Sequence, residues 1–293
     1  MKILSIGDLL LDVVVRHDPA TGAIDTAADA VQVLPGGSAA NFAVHAARLG
    51  ANMHFVSRVG TDWTGEMLVR SLLDEGVIAH VKVVEGTATG RVLAMVDRNG
   101  NNRMWSYPGA SGTISPNDLD PSWFAELDAF HLTGYSLLRE GPRAAALCAL
   151  QLARDNGNPF CTLDPNPSHL ITDFGPARFR DMIEGLSFDA IFPNMEEGRL
   201  LSGETDPEGV VGSLLNIAPL VVLTMGDQGC LAARGVKRII VPAAPAVAID
   251  TTGAGDAFAA GFVVEYLNAQ DLHAATLSAG HLAAQVVSRI GAR

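Results

Sequence analysis

From about residue 125 onward the chain alternates between short apolar runs and longer amphipathic stretches. The runs at 128–132, 160–163, 189–192 and 220–224 have strand length, and 142–155, 176–184 and 195–201 between them carry apolar residues at helical spacing. A run that is apolar throughout must be covered on both faces, and strands separated by helices lie parallel. The alternation therefore predicts a three-layer α/β/α fold around a mainly parallel sheet. Further strands are expected near 229–233 and 237–241, followed by helices over about 254–267 and 271–288.

The first part of the chain is organised differently. Lys2 to Ile6 reads as a buried strand whose end opens into a loop at Gly7-Asp8. Phe42, His45, Ala46 and Leu49 share one helical face that Gly50 terminates, and 67–73 repeats the pattern before Gly76. Residues 11–16, 31–34, 81–84, 91–97 and 103–107 alternate in polarity or are β-branched, around a turn at Asn99-Gly100. They predict a small, separate antiparallel sheet. With 293 residues, 48% of them apolar, the chain can bury a large core. The expectation is one domain over 1–293 carrying a discontinuous β lid from about 10–35 and 80–110.

A net charge of -12 sets the protein's own field against a nucleic-acid partner. A nucleotide remains admissible, because backbone N–H groups at a helix N-terminus hold phosphates whatever the total charge. Cys148, Cys161 and Cys230 are widely spaced without a CxxC pair, which fits free thiols in a reducing, cytoplasmic setting. The first apolar run breaks at Gly7-Asp8, too early for a signal peptide, and no stretch reaches membrane-spanning length, so no membrane association is expected.

The segment with most chemical content is Asp250-Thr251-Thr252-Gly253-Ala254-Gly255-Asp256-Ala257-Phe258. Small residues at 253–255 let backbone N–H groups approach a phosphate, and the helix that follows turns its positive end to the same spot. Asp256, on the first turn, would face that anion hole and could accept the proton of an attacking hydroxyl. Taken in isolation, the segment also reads as a glycine turn with a helix-capping aspartate. GxxxxGK[ST] occurs nowhere, and GxGxxG does not follow the first strand, so neither a P-loop nor a dinucleotide fold is supported.

This nonapeptide resembles the signature of the ribokinase-like, or phosphofructokinase-B-type, carbohydrate kinase family. A second resemblance lies in Gly36-Gly37-Ser38-Ala39-Ala40-Asn41, a glycine pair and an asparagine opening the first large helix. The resemblance implies an ATP-dependent kinase with Asp256 as base and Gly253, Ala254 and Gly255 as its anion hole. It implies a sugar held by Gly36, Gly37 and Asn41 together with Asp12 of the lid. Pro193-Asn194-Met195-Glu196-Glu197 is similar to the family's Asn-x-x-Glu element, which implies that Asn194 and Glu197 organise magnesium, often through water. Read alone, Gly36-Gly37 is a tight turn, Asn41 a helix-start residue and Asn194 to Glu197 a helix N-terminus.

Leu223 to Gly229 is similar to the nucleotide-side turn, placing Thr224, Gly226 and Gly229 against ATP. Asp250, Thr252 and the Arg289-Ile290-Gly291 turn match carbonyl ligands for a monovalent cation, potassium in some members. Asp164-Pro165-Asn166 matches a segment at the cleft floor. Ser38 and Ala39 stand where ribokinases carry Lys-Gly, which leaves the sugar open, and a nucleoside kinase is the rival reading. Trp105 and Tyr107 are candidates either for stacking a nucleobase or for lid-core and dimer contacts; the resemblance implies a homodimer formed through the lid. A non-catalytic binding protein would be expected to lack Asp256, and a glycosidase on a similar sheet would not need the anion hole and the nucleotide turn together.

Overall fold

The computed structural model of the chain describes residues 1–293 apart from 19, 25, 26, 28, 29 and 98–101, and the side chains of 102–104 are also left aside. The expected turn at Asn99-Gly100 lies outside the described residues. In chain order the elements begin with β1 (Lys2–Ile6), β2 (Leu10–His17), β3 (Val31–Gly36), α1 (Ser38–Arg48), β4 (Asn52–Gly60), α2 (Trp63–Asp74), β5 (Ile78–Val84), β6 (Gly90–Asp97) and β7 (Asn102–Tyr107). The alternating part follows with β8 (Ala129–Thr133), α3 (Gly134–Leu138), α4 (Glu140–Asp155), β9 (Phe160–Asp164), α5 (Ser168–Phe174), α6 (Pro176–Leu186), β10 (Ala190–Ile191), α7 (Met195–Ser202), α8 (Pro207–Leu214) and β11 (Leu220–Thr224). The chain closes with β12 (Cys230–Arg234), β13 (Lys237–Val241), α9 (Ala254–Ala269) and α10 (Leu272–Val287).

The large sheet has nine strands in the order β13-β12-β11-β10-β9-β8-β1-β4-β5. Only the β11–β12 and β12–β13 pairings are antiparallel. Successive residues of its strands enter opposite cores, as the uninterrupted apolar runs require. Leu220 and Val222 pack on one face, with α1, α2, α9 and α10, while Val221 and Leu223 pack on the other, with α4, α6, α7 and α8. Helix α9 is buried from Asp256 to Val264 because α1, α10 and the sheet surround it, so its sequence is apolar on every side.

The chain leaves β1 in one direction towards β4 and β5 and in the other towards β8 and beyond. Strand order reverses at β1 and β8, so the loops after these strands diverge and leave a crevice at their carboxyl ends. The second sheet has four strands, ordered β3-β2-β6-β7, and stands over that crevice.

Two expectations are corrected here, and one strand was not expected at all. Residues 81–84 belong to β5, which pairs with β4 in the large sheet, with Val56 opposite His80 and Val59 opposite Val83. Strand β4 itself is not among the sequence expectations. Its buried Met53, Phe55, Val56 and Val59 are interrupted by His54, Ser57 and Arg58, which break up the apolar run. The small sheet, finally, is mixed. β2–β3 and β6–β7 are antiparallel, but β2 and β6 run parallel because β4, α2 and β5 intervene between the strand pairs.

Candidate active site

Two helix N-termini meet in the crevice. Helix α1 begins after Gly37, whose φ is 100° and where a Cβ would lie 2.4 Å from the carbonyl oxygen of Asp8, so only glycine fits. The first N–H groups of α1, at Ser38 and Ala39, donate to the Asp8 carboxylate at 2.9 and 3.2 Å. Helix α9 begins after Gly253, whose φ is 75° and where a Cβ would meet the Ala292 Cβ at 2.3 Å. The N–H of Ala254 is bonded to the Thr251 carbonyl, whereas those of Gly255 and Asp256 find no acceptor among the described residues. Together with the helix dipole they make an anion-binding end.

Asp256 joins the two helices. The Ser38 hydroxyl donates to its Oδ1 at 2.5 Å and the Asn41 Nδ2 donates to its Oδ2 at 2.8 Å. Asn41 is itself oriented by Arg293, whose Nε donates to Asn41 Oδ1 at 2.8 Å and whose Nη2 donates to the Gly36 carbonyl at 2.6 Å. Burial pushes the Asp256 carboxyl up to about 7, against the lowering effect of the Ser38 and Asn41 bonds.

A cavity of about 580 Å³ lies between the carboxyl ends of the large sheet and the small sheet, and Asp8, Asp12, Gly37, Asn41, Gly253 and Asp256 all line it. Its acceptors are concentrated. Burial also raises Asp12 and Glu197 to about 7, and Asp164 well above its ordinary value, the last with help from repulsion by Glu197. Asn166 Oδ1 is buried without a partner. An acceptor-rich group of carboxylate and amide oxygens that repel one another fits a hard divalent cation that keeps most of its own waters. Among the described residues no tight His/Cys/Asp/Glu metal cage is present.

A second cavity, of about 480 Å³, adjoins the first and shares Thr224, Gly255 and Phe258 with it. Its walls come from Gly226, Gly229, the segment 242–248 and the face of α10 carrying Ala283, Ala284 and Val287, and they are almost uncharged. That suits a flat heteroaromatic group on one side of the glycine turn, with a hydroxylated ligand on the other. Beside the turn, Asp250 accepts from Thr252 N at 2.9 Å and from Gly291 N at 3.0 Å, drawing those backbone segments together.

The model of the pfkB family carbohydrate kinases matches residues 1–293, the whole chain. The protein belongs to that family. A fructokinase of Klebsiella pneumoniae is 34% identical over 238 residues, spanning 78% of this chain and 76% of that one. The crystal structure of adenosine kinase from Sinorhizobium meliloti superposes with a TM-score of 0.91 at 25% identity, covering 100% of this chain and 95% of that one. A putative ribokinase II from E. coli in complex with ATP and Mg2+ gives a TM-score of 0.86 at 26% identity, over 99% of this chain and 94% of that one.

The carbohydrate-kinase resemblance is thus membership, and the signature residues converge. Asp12, Gly37, Asn41, Asn194, Glu197, Thr252, Gly253 and Asp256 line the larger cavity, Gly226, Gly229 and Ala254 the smaller, and Thr224 and Gly255 both. Gly36 acts through its carbonyl, on Arg293. Asn194 and Glu197 form a reciprocal capping box, Glu197 N to Asn194 Oδ1 and Asn194 N to Glu197 Oε2, both at 2.9 Å, which is the helix-terminus reading of this pair. His45 is a packed residue; its Nε2 meets the Ala292 carbonyl at 2.8 Å and burial lowers it to about 4.

Asp8 and Arg293 carry contacts that no sequence motif announced, and Ser38, inside the glycine-pair motif, has a contact with Asp256 that the motif did not assign. For Asp8 there was a signal in its place at the end of the first buried strand, whereas Arg293 reaches the site only through the fold.

The buried carboxylate has a thermodynamic signature. Asp256 rises from 3.8 to about 7 on folding, so between these values the folded protein holds a proton that the unfolded chain has released. Its stabilising contribution is complete below a pH of about 4 and lost as pH rises through about 7, leaving an ionised group that costs on the order of 4 kcal/mol. Asp256→Asn should therefore raise Tm at a pH of about 8 and lose that advantage as the pH falls towards about 4, as followed by calorimetry. A difference independent of pH would contradict this account of the site.

Proposed function

We propose that the protein transfers the terminal phosphoryl group of ATP to a hydroxyl of a sugar or sugar derivative. The observation that carries this reading is the position of Asp256, a buried carboxylate one residue beyond a glycine turn that two adjoining cavities share. ATP would lie with its base between the 242–248 segment and α10 and its terminal phosphate at the N–H groups of 253–256. The sugar would lie below the lid against Asp12, Gly37 and Asn41.

Asp256 takes the proton as the substrate oxygen bonds to phosphorus; the bond from phosphorus to the bridging β,γ-oxygen breaks and ADP leaves. The helix terminus stabilises the charge spread over the transferring group. Glu197, Asn194 and Asp164 would hold magnesium, which would supply charge neutralisation on the phosphates. Potassium held by the carbonyls of Asp250, Thr252 and Gly291 would stiffen the turn; the clamp that the Asp250 carboxylate makes on Thr252 and Gly291 supports this placement.

A sugar is favoured over a nucleoside by the lid. Among the described residues, the face of the small sheet that lines the cavity presents Asp12, Val14, Val92, Ala94 and Ser106, with no aromatic ring on which a base could stack. Trp105 and Tyr107 point the other way and are each 53% exposed. With Val31, Val33 and Leu93 they make an exposed apolar face on a sheet with two edge strands, and a second copy of this chain is the occupant that would cover face and edges at once. A cytoplasmic setting fits the three free thiols. Among the described residues no helix is long and apolar enough to cross a membrane.

ADP release should depend on a sugar and on magnesium, and repeating the assay with and without potassium reads out the cation site. Asp256→Asn should lower kcat by about two to four orders of magnitude. In the native enzyme kcat/KM should fall as pH drops through about 7, because the base must be ionised. Native turnover in the variant would remove Asp256 from the mechanism. Sedimentation should find a dimer that Trp105→Glu dissociates, whereas a native monomer at assay concentrations would dismiss the lid interface.

A further inference from the structure

Arg139, between α3 and α4, is a cation of the substrate cavity with few partners among the described residues. It lines both the main cavity and a small recess that opens beside it. Among the described residues its buried Nε has no hydrogen-bond partner, and its one hydrogen bond runs from Nη2 to the Ser106 hydroxyl at 3.5 Å. The guanidinium lies 5.7 Å from the centre of the Tyr135 ring. Asp8 is the carboxylate whose ionised form Arg139 favours, yet both Asp8 oxygens are already taken by the first N–H groups of α1, and no ion pair joins the two side chains. The other cation beside the cavity, Arg293, is committed to Asn41 and Gly36.

The corner around Arg139 differs in character from the rest of the site. Elsewhere the walls are acceptors: Asp12, Asp164, Glu197, Asp256 and the orphaned Asn166 Oδ1. At this corner donors gather beside Asp8, whose two oxygens already accept from the N–H groups of Ser38 and Ala39. Arg139 offers a planar fork of N–H groups, Ser106 a hydroxyl from the lid, and Tyr135 a phenol that burial and the facing Asp8 keep protonated. A neutral sugar already finds hydroxyl partners in Asp12, Asn41 and Asp164 and has no need of a guanidinium. An anionic substrate would be repelled by the carboxylates unless a cation received it, and the fork of an arginine matches a carboxylate or phosphate two bonds at a time.

We propose that the substrate carries an anionic group, a carboxylate or a phosphate ester, which docks on Arg139 between Ser106 of the lid and Tyr135. This rests on the kinase reading for the reaction, and it narrows the substrate to sugar acids or sugar phosphates. Docking there would also tie the lid to the large sheet, since Ser106 belongs to β7 and Arg139 to the segment after β8.

The test is initial-rate kinetics, with calorimetric binding in parallel, on pairs that differ in the charged group: gluconate with glucitol, ribonate with ribitol, fructose 6-phosphate with fructose, and ribose 5-phosphate with ribose. At least one anionic member should exceed its neutral partner roughly 10- to 100-fold in kcat/KM or affinity. An advantage confined to the acids assigns a carboxylate, and one confined to the esters a phosphate. Arg139→Gln should collapse that ratio towards one by raising KM far more than it lowers kcat, and Arg139→Lys, which keeps the charge but not the fork, should retain part of it. Neutral partners that equal or exceed their anionic counterparts in every pair, or an advantage that survives Arg139→Gln in a variant with native melting behaviour, would overturn the proposal. ADP release keeps the two readings apart. Release with neutral sugars alone would leave the kinase standing without an anion subsite, whereas Arg139-dependent binding of an anion without any ADP release would keep the subsite and remove the kinase reading.

Discussion

The hydrogen bonds from Ser38 and Asn41 to the Asp256 carboxylate hold together two helix N-termini that come from opposite ends of the chain. Everything at the site is arranged around that junction. Gly37 and Gly253 allow the two backbones to turn into their helices where any side chain would collide, with the Asp8 carbonyl in one case and Ala292 in the other. Both helices direct positive ends at one crevice, and the acids gathered there are the groups such ends favour. The price of the arrangement is several carboxylates raised by burial, Asp12, Asp164, Glu197 and Asp256 among them, a stability cost of the kind that functional sites carry.

The large sheet makes the junction possible. Because strand order reverses at β1 and β8, the residues after these strands and after β9 open on the same crevice. Asp8, Tyr135 and Asp164 arrive there from separate strand ends, and a rigid sheet buried on both faces fixes their spacing. The small sheet contributes Asp12 and Ser106 from above. Its insertion between elements of the large sheet, not after them, explains why β2 and β6 run parallel.

What could be read from the sequence followed the strength of its local signals. The apolar runs from 128 to 224 can be covered only on two faces, so the three-layer architecture was legible, and the glycine turn at 253–255 announced itself by composition and by its place before a helix. Strand β4 was hidden because His54, Ser57 and Arg58 interrupt its apolar residues; Ser57 is spent on the Gly7 carbonyl and Arg58 on Asp118. Strand β5 was read into the lid because its alternating Val81 and Val83 look alike in either sheet, and only its pairing with β4 decides. Arg293 and Arg139 had no local signature at all. Each is defined by partners 100 or more residues away or by the lack of them, which is information carried by tertiary structure alone.

The central claim is that phosphate and sugar meet across the glycine turn with Asp256 between them. A crystal structure of the protein with a non-hydrolysable ATP analogue, magnesium and a turned-over sugar tests it most directly. The account predicts phosphate oxygens at the N–H groups of Gly255 and Asp256 and the accepting hydroxyl within about 3 Å of an Asp256 oxygen, in line with the terminal phosphorus. A nucleotide bound with its phosphates away from that helix terminus, or a sugar whose nearest hydroxyl is out of reach of Asp256, would contradict it.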